Sequence, residues 1–286
     1  MKPIRILAPI LIVGMAWLTS CSPAIQVTEQ NRLAGQEIFL PYEPPRLKVV
    51  APPPLPPVPA EVIFHGPRDA KWVALTFDAC STRQPSHYDE RVTQVLVDKK
   101  IPATIFLGGK WIEENQDHTK YLASLPQFEL GNHTFLHPHL TQVSETRLRE
   151  ELTWTQAVLY TVTGRQATLF RAPYGEYDHR VVRYAAELGL TTIQYDLASG
   201  DPDVHATKEK LIEYVVANAH PGSIIVMHIN RHGWHTAEAL PEIIDSLQQR
   251  GFTFVTVGDL LSKANHPSPL QDDKNSTTPL PPLPNN

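Results

Sequence analysis

Between Glu61 and Lys263 the chain alternates short apolar runs with longer stretches whose apolar residues recur every three or four positions. Trp72 to Phe77, Ala103 to Leu107, Leu169 to Arg171, Thr192 to Asp196, Ser223 to His228 and Thr253 to Val257 are the short runs and read as strands. Tyr88 to Lys100, with Val92, Val95 and Leu96 on one face, reads as a helix. Ser144 to Thr163 does the same through Leu148, Leu152 and Leu159, and Gly164 supplies a C′ residue. Val181 to Leu188 is closed by Gly189, and Lys208 to Ala219 and Ala237 to Arg250 complete the helices. Such alternation predicts a mainly parallel sheet, either open or closed into a barrel. Both arrangements place their sites at the C-terminal ends of strands.

Outside that region the pattern stops. Lys2 and Arg5 precede an apolar stretch, Ile6 to Trp17, too short to span a bilayer comfortably. Leu18-Thr19-Ser20-Cys21 follows and resembles the lipobox of bacterial lipoproteins, with Cys21 as the lipidated residue. Residues 1–20 are therefore expected to be a lipoprotein signal, with a plain secretory signal as the alternative. Residues 21–60 are expected to form a lipid-anchored linker, because Pro41 to Pro59 favours polyproline II, a semi-rigid spacer rather than a packed element. The same prolines would alternatively offer a ligand to a partner domain. Residues 61–265 are the folded domain, and 266–286 are a Pro- and Asn-rich tail expected to be disordered.

Composition narrows the picture only slightly. The 286 residues suffice for one core, and 42% hydrophobic with 19% charged residues is ordinary for a globular chain. A net charge of −5 provides no basic field, which argues against nucleic-acid binding. There are two cysteines, so lipidation of Cys21 leaves Cys80 without a disulfide partner.

The polar residues at the strand ends carry the chemistry. His133 and His137, in Gly-Asn-His-Thr-Phe-Leu-His-Pro, have a spacing that can aim two imidazoles at one ion, or can belong to ordinary surface or core histidines. No Glu follows His133, so a His-Glu-x-x-His metalloprotease site does not fit. Asp78 closes Val73-Ala74-Leu75-Thr76-Phe77 and suits either a base or metal ligand, or a turn. Arg171, before Pro173 and Gly175, is a permanent cation able to orient Asp78 or Asp201, or a structural ion-pair partner. His228 ends an apolar strand and suits a general acid, with Asp196 to raise its pKa and fix its tautomer, or is a core histidine.

In chain order, Thr-Phe-Asp, His-Thr-x-x-His-Pro, Arg-x-Pro-Tyr-Gly, Asp-x4-Asp and Val-Met-His resemble the five motifs of the polysaccharide deacetylases, the NodB-homology enzymes of carbohydrate esterase family 4. The resemblance runs from about Trp72 to Leu261 and includes Ile101 to Phe106 and Gly251 to Val255. It implies an α/β fold, a distorted (β/α)7 barrel, and metal-dependent removal of N-acetyl groups from an N-acetylhexosamine polysaccharide, peptidoglycan or chitin-like. It implies Asp78 as the base, His133 and His137 as ligands of a divalent metal (usually zinc), and the backbone N–H of Tyr174 as oxyanion donor. It further implies that Arg171 tethers Asp78, that Asp201 braces Arg171, and that His228, supported by Asp196, protonates the departing amine. The expected partners are an acetylated polysaccharide and a membrane, and the expected place is a bacterial cell envelope. Ser22 after the cysteine fits outer-membrane sorting if the host is Gram-negative.

The sequence departs from the family at two places. The second aspartate of the first motif, a metal ligand, is Ala79 here. Cys80 can supply a thiolate instead, Asp78 or a water can fill the place, or catalysis has been lost and a glycan-binding module remains. Strand alternation puts Cys80 on the face of Asp78 rather than of Ala79, while a small buried thiol is the bland reading. Pro202 stands where many relatives have Trp, and Trp234 offers a stacking surface in its stead.

Overall fold

The computed structural model describes residues 43–82, 85–230 and 232–264. The signal, Cys21, the first part of the linker and the 266–286 tail lie outside the described residues.

Nine parallel strands form the sheet: β1 (Val62–Ile63), β2 (Trp72–Ala79), β3 (Ala103–Leu107), β4 (Phe128–Asn132), β5 (Leu169–Phe170), β6 (Thr191–Ile193), β7 (Leu197–Ala198), β8 (Ile224–His228) and β9 (Thr253–Phe254). Their order is β1-β6-β5-β4-β3-β2-β8-β7, with β9 paired to β2. No ladder joins β1 to β7 among the described residues, and a single bridge from His65 to Ser223 spans that gap. The result is a distorted (β/α)7 barrel. Its central strands are mostly apolar because they are covered on both faces: from Val73 to Ala79 every residue of β2 is buried, Thr76 and Asp78 included.

Among the described residues, eight α-helices pack outside it: α1 (Glu90–Asp98), α2 (Gly109–Glu114), α3 (Gln116–Ser124), α4 (Glu145–Thr163), α5 (His179–Glu187), α6 (Lys208–Asn218), α7 (Thr236–Gln249) and α8 (Val257–Ala264). Their ends are set locally. Ser144 caps α4 by accepting from Arg147 N, and Gly164 at φ 69° ends it with its N–H on Tyr160 O. Asp178 and Thr207 cap α5 and α6 in the same way.

The expected spacer is not one over residues 43–60. That segment is bound to the outside of the helices, with Leu47 N donating to Glu113 Oε1 (2.9 Å), Val50 N to Thr161 Oγ1 (2.8 Å) and Val58 N to Ala186 O (3.0 Å). Leu47 and Val49 pack on the core, and Gln166 Nε2 donates to Pro53 O. Proline has no N–H to satisfy, so this belt carries few donors, and Leu47 and Val49 seat its apolar edge. The folded unit therefore begins before Glu61.

Candidate active site

Asp78 lies at the C-terminal edge of β2, and the parallel register sets it beside His228 of β8. Its Oδ1 accepts from Arg171 Nη1 at 2.8 Å, and the same nitrogen donates to Thr76 Oγ1 at 2.8 Å. The guanidinium lies 4.1 Å above the Phe106 ring, and its Nη2 donates to Gln194 O. Burial alone pushes the Asp78 pKa up, but Arg171, His133 and His228 together hold it below the ordinary carboxylate range. Asp78 is thus kept ionised although only 5% exposed.

His133 follows β4 directly, and its Nδ1 lies 2.9 Å from Arg171 O. A carbonyl only accepts, so Nδ1 carries the hydrogen and the Nε2 lone pair is left to the cleft, 3.8 Å from Asp78 Oδ2. His137 sits in a tight loop with φ 57°, and Thr134 in the same loop has φ 64°. Buried Glu151 of α4 fixes that loop by accepting from Phe135 N (2.6 Å) and Leu136 N (2.7 Å), while Asn132 Oδ1 accepts from Thr134 N. The buried Nδ1 of His137 has no hydrogen-bond partner. Burial holds both imidazoles below their usual pKa, His137 well below, so both are neutral at pH 7 and able to offer a lone pair.

The Cys80 sulfur and the two imidazoles offer ligand atoms that all lie within 4.8 Å of one another. Ala79 is fully buried on the opposite face, in the core. Cys80 is a free thiol whose pKa burial, and then the Asp78 charge, push up to about 12. Tyr174, at φ 58° in the Pro173–Gly175 turn, has a backbone N–H with no acceptor among the described residues.

Two expectations fail. Asp201 does not brace Arg171, and Asp196 does not support His228. Asp201, fully buried, accepts at Oδ1 from His228 Nδ1 (2.9 Å) and Ser199 Oγ (3.0 Å), and at Oδ2 from His228 N and Thr236 Oγ1 (both 2.7 Å). Asp196 is level with the far end of β8, where it accepts from Ile224 N, Ser223 Oγ and Arg68 Nη2. Burial opposes charging of His228, but Asp201 and then Asp78 outweigh it and raise its pKa above the ordinary value. Trp234 is 45% exposed and does not line the cleft of about 380 Å³ that contains Asp78, Cys80, His133, His137, Arg171 and His228.

Sequence reasoning missed Thr76 and Glu151. Thr76 had a signal, since it lies two residues before Asp78 and so shares its face. Glu151 had none: it reaches the loop from 15 and 16 residues away.

The polysaccharide deacetylase family profile matches residues 65–193. The chain is 29% identical over 205 residues to the peptidoglycan-N-acetylmuramic acid deacetylase PdaA of Bacillus subtilis, covering 70% of this chain and 75% of that protein. Among solved structures it is similar to a family 4 carbohydrate esterase from Bacillus anthracis, with TM-score 0.59 and 30% identity over 71% of this chain and 88% of that one. It is also similar to a family 4 pseudoenzyme from Bacillus anthracis, with TM-score 0.64 and 27% identity over 71% and 69% of the two chains, a mutant of which has restored enzymatic activity.

Proposed function

This chain belongs to the polysaccharide deacetylases of carbohydrate esterase family 4, and from that premise we propose that it removes N-acetyl groups from peptidoglycan. The observation that carries the reading is the Asp78–His228 pairing across two adjacent strands, each side chain anchored by its own buried partner, Arg171 and Asp201. Amide hydrolysis needs a base for the water and an acid for the departing nitrogen, and this arrangement supplies an ionised carboxylate and a protonated imidazole at one edge.

Asp78 takes the proton of the attacking water, and Arg171 with Thr76 fixes which carboxylate oxygen is free to do so. The N–H of Tyr174, lacking an acceptor, is available to the carbonyl oxygen as charge develops there. His228 then delivers its proton to the amine nitrogen, and Asp201 stabilises the imidazolium until it does.

The donors fit a divalent metal, and zinc in particular. His133 is pinned in the tautomer that frees Nε2, and His137 keeps a buried nitrogen without a partner. His133 and His137 would hold the ion, which would acidify water and polarise the acetyl carbonyl. The reading is tested by acetate release from peptidoglycan fragments and N-acetylglucosamine oligomers, after chelation and again after zinc is restored. Zinc-dependent release that disappears in Asp78→Asn supports it. Its absence with every metal tried refutes it.

One observation favours a second reading. Ala79 offers no ligand where relatives have an aspartate, and a silent glycan-binding module follows if the site cannot hold its metal. In that case Asp78→Asn leaves glycan affinity unchanged and there is no turnover to lose.

For the location, the signal-like Lys2 to Ser20 and Cys21 support lipid anchoring at the cell envelope. Cys21→Ser should then abolish labelling by a lipid precursor and release the protein from membranes.

A further inference from the structure

The first motif carries Ala79 where the family resemblance implies a metal-binding aspartate, yet the two histidines have the geometry of ligands. What stands beside them is a thiol. Because β2 alternates faces, the side chain of Ala79 goes into the core while that of Cys80 joins Asp78 at the cleft. Ligand atoms around a tetrahedral zinc ion at 2.0–2.3 Å are about 3.3–3.8 Å apart, and the Cys80, His133 and His137 atoms lie within 4.8 Å of one another. About an ångström of contraction closes the set.

Cys80 is also positioned from outside. Asn230 Nδ2 donates to Cys80 O at 3.0 Å and lies 3.9 Å from its sulfur. The cysteine is therefore held at the cleft wall rather than left to repack in the core. Among the described residues the Cys80–His133–His137 trio is the one cluster of three or more such donors close enough to share an ion.

We infer that Cys80 is the third protein ligand, so that the chain carries a Cys-His-His zinc site in which the next residue along β2 replaces the missing aspartate. This rests on the reading of His133 and His137 as metal ligands. A thiolate brings the same single negative charge as a carboxylate, so the net charge of the site is kept. It is a softer donor, and it shifts the preference toward zinc and away from magnesium, calcium and manganese. Loading then releases the thiol proton to solvent as the sulfur–zinc bond forms, with no oxidant or reductant involved.

The test is zinc-edge X-ray absorption on the full-length protein, stripped by chelation and reloaded with zinc. A sulfur shell at about 2.3 Å beside nitrogen or oxygen at about 2.0–2.2 Å is expected, and it should vanish in Cys80→Ser. Zinc affinity should fall in that variant by more than the roughly 10–100-fold lost with an outer-shell partner. Bound zinc should also shield the Cys80 peptide from alkylation, read by mass spectrometry. A shell of nitrogen and oxygen alone, or a sulfur shell that survives Cys80→Ser, overturns the proposal. Acetate release is scored separately: zinc bound without sulfur but with turnover sinks the ligand and spares the deacetylase, whereas a sulfur shell without turnover does the reverse.

Discussion

Replacing Asp201 by Asn tests which aspartate serves the acid. Four donors converge on the Asp201 carboxylate: the Nδ1 and backbone N–H of His228, and the hydroxyls of Ser199 and Thr236. An amide has one oxygen and one NH2, so in either orientation the NH2 confronts donors. If the oxygen keeps His228 N and Thr236, the NH2 faces Nδ1 and imposes the neutral imidazole. A hydrogen bond to a charged group contributes about 1.5–3 kcal/mol. At about 1.4 kcal/mol per pKa unit, its loss lowers the His228 pKa by roughly 1–2 units. His228 is raised in the folded protein, so its acid form persists below that raised value and is lost as pH rises through it. The alkaline limb of kcat/KM should therefore move down by roughly 1–2 units, with about a 10–100-fold loss of rate on that limb. Asp196→Asn is the control. It disturbs Arg68, Ser223 and Ile224 at the other end of β8, and should lower Tm without moving the limb. An alkaline limb that moves in Asp196→Asn and stays in Asp201→Asn refutes the reasoning.

Three further outcomes follow from the packing around the cleft. Glu151→Gln sets an NH2 against the Arg147 guanidinium in a pair whose glutamate is fully buried; it should cost about 3–5 kcal/mol by chemical denaturation and weaken zinc binding through the His133–His137 loop. A chain shortened to begin at Glu61 loses the three hydrogen bonds donated by the belt's backbone and the seats of Leu47 and Val49, so thermal unfolding should show a loss of at least about 1.5–4.5 kcal/mol. Arg171→Lys keeps the charge but cannot serve Thr76, Asp78 and Gln194 at once; turnover should fall at least about 10-fold, with the acid limb shifted upward as Asp78 loses its strongest stabiliser.

The strands most legible from sequence are those buried on both faces, such as Val73 to Phe77, apolar but for Thr76, and Ile224 to Met227, where a short apolar run is too brief for a helix. β4 was missed because Phe128–Asn132 interrupts its apolar residues with Glu129 and Gly131. Both have tertiary reasons: Glu129 Oε2 accepts from Thr104 Oγ1 and Gly258 N, and the Phe106 ring fills the space a Cβ on Gly131 would need. The last strand, Thr253–Phe254, is shorter than its apolar run suggests, because Val257 N already donates to Thr104 Oγ1 at the start of α8. Asp78 and His228 are legible because each lies at the end of a strand that the apolar pattern marks, whereas His133 and His137 are legible only through their spacing. Which aspartate meets His228 was not readable. Asp196 and Asp201 are five residues apart, and only the turn of the chain around β7 sends one to each end of β8. Composition likewise described Pro41 to Pro59 as extended without saying whether Leu47, Val50 and Val58 would find acceptors.

The choice between an enzyme and a silent binding module turns on what the fold spends its strain to hold. Thr134, His137 and Tyr174 all have positive φ without being glycine, and such positions cost of the order of 1–3 kcal/mol each. The first is β-branched, for which the left-handed region is least natural. These conformations are enforced from several sides: Asn132 and Glu151 hold the loop, and the Pro173–Gly175 turn holds Tyr174. What the strain presents is not a sugar-stacking surface but His137 with an unpartnered buried nitrogen and Tyr174 with a backbone N–H that has no acceptor. The buried nitrogen is a cost to a folded chain with nothing to bind there, and both groups are useful when an ion and a developing oxyanion arrive. A glycan-binding barrel could relax all three residues and keep its groove. That they remain strained beside an anchored base and an anchored acid is the structural reason to expect turnover despite Ala79.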